Sequence, residues 1–130
     1  MLLMLLACHS DKESSDSTAS TTWEDVSPIL ERSCVSCHHS GGVGKGDFTV
    51  YENAAAKASI ISAFVQGDLM PPPSMDPSCR SYVGHERMNI SDEERDLIST
   101  WASEGAAEGT PVGTLQVYTP QLTGNLVESR

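Results

Sequence analysis

Three residues in the first third of the chain have side chains that could bind a metal or react with a cofactor. Cys34 and Cys37 lie three positions apart, and His38 follows directly, in the stretch ERSCVSCHHSGG. Thiols and imidazoles are metal ligands, and a C-x-x-C pair can also cycle between dithiol and disulfide. The same residues can attach a haem covalently. The spacing therefore leaves three candidates: a metal site, a redox dithiol and a haem attachment site.

The position of His38 favours haem attachment, because C-x-x-C-H is the attachment signature of c-type haem. On a helix, Cys34 and Cys37 would lie one turn apart on the same side, so both thiols would reach the vinyl groups of one porphyrin. His38 would then lie beneath the ring, where an imidazole nitrogen can bind iron. The sequence thus predicts one covalently attached haem c, with His38 as an axial ligand of its iron.

Two other chemistries compete for these residues. A thioredoxin-like dithiol requires a βαβ context, and the sequence has no strand pattern to supply one. Structural zinc is the stronger competitor, because Cys79 and His85 could complete a site begun by Cys34 and Cys37. The second pair is widely spaced, however, and zinc gives no reason for His38. A zinc-binding module stays open as an alternative.

Met70 is the candidate for the second axial ligand. A low-spin cytochrome iron takes a methionine sulfur or a histidine nitrogen on the face opposite the first ligand. Met70 follows His38 by 32 positions, which leaves room for a loop and a helix to cross the ring. The three prolines behind it keep the segment extended and stiff. Met75 is the next candidate, followed by Met88 and His85, and Met70 could instead only pack beneath a helix.

Three helices are expected to position these residues. The first is predicted over 22–38, with Thr22 or Ser27 as its N-cap. Pro28 lies inside that range, and it fits best if Ser27 caps the helix and Pro28 is its first residue, because an interior proline loses a hydrogen bond.

The second helix is predicted over 51–67, where Gly67 supplies the stop. Its apolar face comprises Ala54, Ala58, Ile61 and Val65. The third is predicted over 89–106, where Ser91 and Glu94 have the spacing of a capping box and Gly105 supplies the stop. Its apolar stripe comprises Leu97, Ile98 and Trp101.

The ends of the chain read differently from its centre. Residues 1–8, MLLMLLAC, resemble the lipobox of a bacterial lipoprotein, which predicts a signal segment and a lipid on Cys8. The run is too short for a transmembrane helix. Residues 9–22 are small and polar, as in a flexible tether. The folded domain is predicted over 23–109, and 110–130 read as a tail or linker.

Composition limits the partners. The chain has 130 residues, 38% of them hydrophobic and only 5% aromatic, which predicts one domain with a lean core. The net charge of −10 argues against nucleic acid, whose phosphates would be repelled, and favours a redox partner with a basic docking surface.

The order of these segments resembles a class I cytochrome c domain. It runs from VSPILERSCVSCH through a glycine-rich turn and an alanine-rich helix to QGDLMPPP and ISDEERDLISTWASEGA. It is similar, more narrowly, to bacterial monohaem domains whose haem motif follows a P-I-L helix start and whose distal loop reads M-P-P. The resemblance covers about 23–109.

The resemblance implies a small all-α cytochrome c fold, with three main helices around one haem and the first and last helices crossing. It implies His38 and Met70 as axial ligands, and an electron carrier rather than an enzyme, located in the periplasm or cell envelope. It also implies that a backbone carbonyl soon after the motif orients His38. Many relatives place a proline there, but residues 40–48 contain none, so the sequence does not say which carbonyl this is.

Two alternatives from other classes stay open beside the electron carrier. In a five-coordinate haem enzyme or sensor, such as a peroxidase, Met70 would not bind the iron. The second alternative is the zinc module. Because domains of the resembling subgroup often precede larger ones, the chain could also be the cytochrome part of a larger oxidoreductase. Cys79 is left without an assigned role.

Overall fold

The computed structural model describes residues 20–72 and 85–118. Within these ranges the chain is all-α, as predicted, and contains no strand. The four helices are α1 (Trp23–Ser33), α2 (Tyr51–Ala55), α3 (Ala58–Gln66) and α4 (Asp92–Ser103), and a single 3-10 turn spans His85–Met88. None of the helices in this part of the chain has the length and apolar character needed to cross a membrane.

Helix α1 begins at Trp23 with Thr22 as its N-cap, one of the two predicted caps. Pro28 therefore lies in the interior of the helix, and the expectation that Ser27 caps it with Pro28 as its first residue is wrong. The start is fixed by the Asp25 carboxylate, which accepts hydrogen bonds from the backbone N–H (2.8 Å) and hydroxyl (3.0 Å) of Thr22. Pro28 has no N–H to give to the carbonyl of Glu24, one turn back. The buried Ser27 hydroxyl donates to that carbonyl at 3.5 Å instead, which offsets part of the loss.

The predicted second helix is two helices, because the backbone forms a turn at Ala56 and Lys57 that interrupts the α-helical hydrogen bonds. The N–H of Lys57 donates to Ala54, three residues back, at 3.0 Å, and Lys57 has φ −117° and ψ 7°, outside the helical range. The predicted apolar face survives this break. Its four residues are all buried: Ala54, Ala58, Ile61 and Val65.

Helix α4 has the predicted capping box. The Ser91 hydroxyl accepts the N–H of Glu94 at 3.2 Å, and the Glu94 carboxylate accepts the N–H of Ser91 at 2.9 Å. Ile98 and Trp101 are fully buried. The helix ends at Ser103, and Gly105 has φ +98°, the left-handed conformation expected of a glycine just past a helix end.

The first and last helices pack directly against each other. At one end of α1 the rings of Trp23 and Trp101 lie 5.8 Å apart, and both side chains are fully buried. At the other end the Arg32 guanidinium makes two hydrogen bonds to the Glu94 carboxylate, at 2.7 and 2.8 Å. Helix α3 lies against the same α4. The core is thus built around α4.

The chain after α4 contacts the helical domain, and one of these contacts lies beyond the predicted domain boundary at residue 109. The carbonyl of Ala107 accepts the backbone N–H of Trp23 (2.8 Å) and the indole N–H of Trp101 (3.0 Å). Further along, Leu115 is buried, and its N–H donates to the backbone carbonyl of Thr49 at 2.7 Å. One residue of the predicted tail, Leu115, therefore packs into the core, whereas residues 110–114 before it are exposed.

Candidate functional site

The C-x-x-C-H motif lies in a turn that follows α1, not within the helix as predicted. Helix α1 ends at Ser33, yet the N–H groups of Cys37 and His38 both donate to the carbonyl of Cys34, at 3.1 and 3.0 Å. This turn has the i to i−4 bond of an α-helix. The motif residues therefore keep a helical spacing, although the regular helix has ended.

The two cysteines lie in different surroundings. Cys34 packs against the hydrophobic core, and burial raises the pKa of its thiol to about 12. An uncharged thiol is the form that an apolar environment favours. Cys37 is partly exposed, and both are free thiols.

A backbone carbonyl orients the imidazole of His38. The Nδ1 atom lies 2.9 Å from the carbonyl oxygen of Lys45. A carbonyl can only accept, so Nδ1 carries a proton, and in the neutral imidazole Nε2 is then the nitrogen with the lone pair. This is the arrangement of a metal-binding histidine, whose second nitrogen is fixed by an outer partner. The carbonyl that orients His38, which the sequence alone did not identify, is therefore that of Lys45.

The faces of the His38 ring are also covered. The Phe48 ring stacks on it with a centroid distance of 4.6 Å and an interplanar angle of 13°. A Cβ on Gly44 would lie 2.7 Å from the Nδ1 and Cε1 atoms of His38, closer than side-chain atoms approach one another. The loop therefore packs its bare backbone against the imidazole. His38 has little freedom to rotate.

All four predicted site residues line one cavity of about 560 Å³. Cys34, Cys37 and His38 come from the turn after α1, and Met70 comes from the segment after α3. Sites for small molecules and cofactors have volumes of about 300–1,000 Å³ and mostly apolar walls. The volume and the donor set thus suit a cofactor.

Apolar side chains around this cavity are unusually exposed. Val43, Ile60 and Phe64 line it, and their exposed fractions are 93%, 55% and 42%. Large apolar residues that cluster in the open commonly mark a binding surface. The walls therefore favour an apolar occupant, because it would remove these side chains from water.

Met70 is one of two methionines that line the cavity among the residues that the structure describes. Its N–H donates to the carbonyl of Phe64 at 3.2 Å, which holds the segment against the end of α3. Met88, at the end of the 3-10 turn, lines the same cavity. Of the other ligand candidates, Met75 and the side chain of His85 lie outside the described residues.

The alternative zinc site is not assembled in the described part of the chain. No group of three or more His, Cys, Asp or Glu side chains there could hold a metal ion. Cys79 and Cys8 lie outside the described residues.

Sequence reasoning missed Phe48 and did not identify Lys45 or Gly44 as the residues that hold His38. The only signal in the sequence was the glycine-rich stretch that ends in an aromatic residue, ten positions after His38. Which glycine faces the imidazole depends on the path of the loop, so the pattern could not assign the contacts.

In comparisons with known proteins, the chain matches no protein-family model, no curated protein and no solved structure.

Proposed function

We propose that this protein is a monohaem cytochrome c that carries electrons and is not itself an enzyme. The observation that carries the proposal is that Cys34, Cys37, His38 and Met70 all line one apolar cavity. Two thiols, one imidazole with a free Nε2 and one thioether are the donor set of a covalently bound haem with His and Met ligation. The immediate C-x-x-C-H order of the first three residues favours haem over a metal ion bound directly by these side chains.

The residues present fit this group. Cys34 and Cys37 would hold the porphyrin through thioether bonds, and His38 Nε2 and the sulfur of Met70 would bind the iron. When bound, the haem supplies a reversible one-electron change between ferric and ferrous iron. The bare backbone of Gly44 and the carbonyl of Lys45 keep the imidazole in place during that change.

The packing of the helices supports a cytochrome c arrangement. In that fold the first and last helices cross beside the haem. Here α1 packs on α4 through Trp23 and Trp101, and the cysteine motif follows the end of α1 directly. Helix α3 leads to Met70, which lines the same cavity.

Location and partners follow from the same proposal. The lipobox-like start predicts export and a lipid anchor at Cys8, in the periplasm or cell envelope, and the haem motif is consistent with that compartment. The net charge of −10 favours a redox partner with a basic docking surface. The domain could serve as the cytochrome part of a larger oxidoreductase.

The test is to express the chain with a secretory signal and a haem-attachment system, and to record its visible spectrum. The spectrum is expected to be that of low-spin, six-coordinate c-type haem. After denaturation in acid and organic solvent, the chain should keep the mass of one porphyrin. Haem that washes off, or a colourless protein that binds zinc, would refute the proposal. A five-coordinate spectrum would favour the haem enzyme or sensor instead.

A further inference from the structure

The segment that carries Met70 leaves α3 through a tight turn. The N–H groups of Leu69 and Met70 both donate to the carbonyl of Phe64, at 2.9 and 3.2 Å, and the N–H of Asp68 donates to Val65 at 3.2 Å. Asp68 has φ +55°, in the left-handed region, which aspartate adopts more readily than most residues other than glycine. The chain therefore turns sharply between the end of α3 and Met70.

A single side chain from α4 holds this turn. The guanidinium of Arg95 donates to the carbonyl of Val65 and forms an ion pair of 2.7 Å with the Asp68 carboxylate. The Gln66 side-chain amide donates back to the carbonyl of Arg95 at 3.1 Å. Arg95 thus satisfies a carbonyl at the end of α3, where a cation is also favoured by the helix dipole.

The two contacts of Arg95 contribute unequally to the stability of the turn. The Asp68 side chain is 75% exposed, so the ion pair is screened by water and contributes little. Arg95 itself is only 22% exposed, and its partner Val65 is buried. The hydrogen bond to the Val65 carbonyl is therefore the stronger contact, since water screens it less than the exposed ion pair. This carbonyl also accepts the N–H of Asp68, so Arg95 adds a second, charged donor to it.

We infer that Arg95 is a positioning residue that fixes the turn from Asp68 to Met70 and so keeps the Met70 sulfur at the cavity. The inference rests on the proposed ligation of iron by Met70. Arg95 does not line the cavity; it acts through the backbone of α3 and the turn. When its contacts are lost, the turn opens more often and the sulfur leaves the iron more easily.

The test compares Arg95→Gln with Arg32→Gln in the haem-loaded protein. Both replace an arginine that pairs with a carboxylate across two segments. Arg32 joins α1 to α4, and none of its hydrogen bonds goes to the turn from Asp68 to Met70. Imidazole is titrated into the ferric protein, where it competes with the methionine sulfur. Arg95→Gln is expected to bind imidazole on the order of tenfold more tightly than wild type, the effect of one lost charged hydrogen bond. Arg32→Gln should bind imidazole as wild type does, although both variants unfold at lower denaturant concentrations.

Equal imidazole affinity in Arg95→Gln and wild type would overturn the inference. An equal rise in both variants would also overturn it, since a general loss of stability would then explain the effect. If Arg95→Gln does not fold, two milder variants replace it. Arg95→Lys keeps the charge, and Asp68→Asn breaks only the exposed ion pair. Both are expected to raise the affinity for imidazole by less than tenfold, and Asp68→Asn by less than Arg95→Lys.

Amide hydrogen exchange separates this inference from the proposed function. Exchange at Leu69 and Met70 should be faster in Arg95→Gln than in wild type, and unchanged in Arg32→Gln. A wild-type protein without sulfur ligation would refute the ligand assignment. Faster exchange at these two amides would still support the role of Arg95 in the turn, whereas unchanged exchange would overturn it.

Discussion

At the scale of single residues, the site depends on how tightly His38 is held. The Lys45 carbonyl fixes its Nδ1, Phe48 covers one face and the backbone of Gly44 packs against the ring. Each contact comes from the ten residues that follow the motif. The loop thus acts as the outer support that metal-binding histidines require.

Gly44→Ala is expected to disturb His38 by steric contact alone. Gly44 does not have a positive φ, so alanine strains no backbone there, but its Cβ would lie 2.7 Å from the imidazole. Overpacking of this kind typically costs about 1–3 kcal/mol. We expect a matching loss in the free energy of unfolding and an altered haem spectrum, measured by denaturant unfolding and visible absorption.

Gly41→Ala is the matched control. Gly41 has φ +80°, and a Cβ there meets no atom within 4 Å. Its backbone strain should lower stability by about 1 kcal/mol without changing the haem spectrum. The role given to Gly44 would be wrong if both variants changed the spectrum alike, or if neither did.

Met70→Ala tests the second axial ligand. Both Met70 and Met88 line the cavity, but Met70 is held by the hydrogen bond to Phe64 and followed by prolines. Ferric wild-type protein should show the weak near-infrared band of sulfur-bound haem. Met70→Ala should abolish the band and lower the reduction potential, because a thioether ligand raises it.

Met88→Ala and Met75→Ala are the controls and should keep the near-infrared band. A Met88→Ala protein without the band, beside a Met70→Ala protein that keeps it, would move the ligand to the 3-10 turn. A wild-type protein that never shows the band would argue for an open iron site or for ligation by His85.

At the scale of helices, an ion pair close to the C-x-x-C-H motif joins α1 to α4. Arg32 donates both to the carboxylate of Glu94 and to the carbonyl of Asn89, at 3.1 Å. The hydrogen bond from Arg32 holds the pKa of Glu94 below its ordinary value. Both side chains are partly exposed, at 36% and 27%, so the pair is worth about 1 kcal/mol at most.

Glu94→Gln should therefore lower stability in a pH-dependent way. Because the pKa of Glu94 is lower in the folded state, its contribution is fully present above the unfolded value of about 4.3 and is lost as the pH falls through the folded value. Glutamine keeps the capping box with Ser91. The difference from wild type in the free energy of unfolding should be about 1 kcal/mol at pH 7 and shrink towards zero in acid.

Asp96→Asn is the control on the same helix, since Asp96 is exposed. Its difference from wild type should stay small at every pH. A Glu94→Gln difference that is as large at pH 3 as at pH 7 would show that the variant acts through something other than the ion pair.

At the scale of the whole molecule, the net charge is expected to control how fast the protein meets a charged redox partner. A net charge of −10 on 130 residues gives a negative field that reaches about 30 Å at 0.01 M salt but only about 8 Å at 0.15 M. Electron transfer to a cationic oxidant should therefore slow on the order of tenfold over this range of salt.

Stopped-flow oxidation of the ferrous protein measures this effect with two small oxidants. The rate with a cationic cobalt complex should fall as salt is added, and the rate with anionic ferricyanide should rise. Slopes of the same sign for the two oxidants would mean that the region around the haem is not negative, and the expectation of a basic partner would then fail.

The sequence by itself determined the features that depend on neighbouring residues. The capping box at Ser91, the stop at Gly105 and the buried faces of α3 and α4 were all predicted, because caps and helical periodicity act within one or two turns. The C-x-x-C-H motif was equally local. Its residues keep their spacing in the structure even though the helix ends before them.

Only the tertiary structure decided the features that depend on distant residues. Pro28 stays inside α1 because the core buries Trp23 on the first turn of the helix and the carbonyl of Ala107 accepts the Trp23 N–H. The carbonyl that orients His38, the shared cavity and the tie from Arg95 to the Met70 turn depend on where loops meet helices. Such contacts join segments with no common pattern in the sequence, because backbone carbonyls are alike in every residue and only the path of the chain selects one of them.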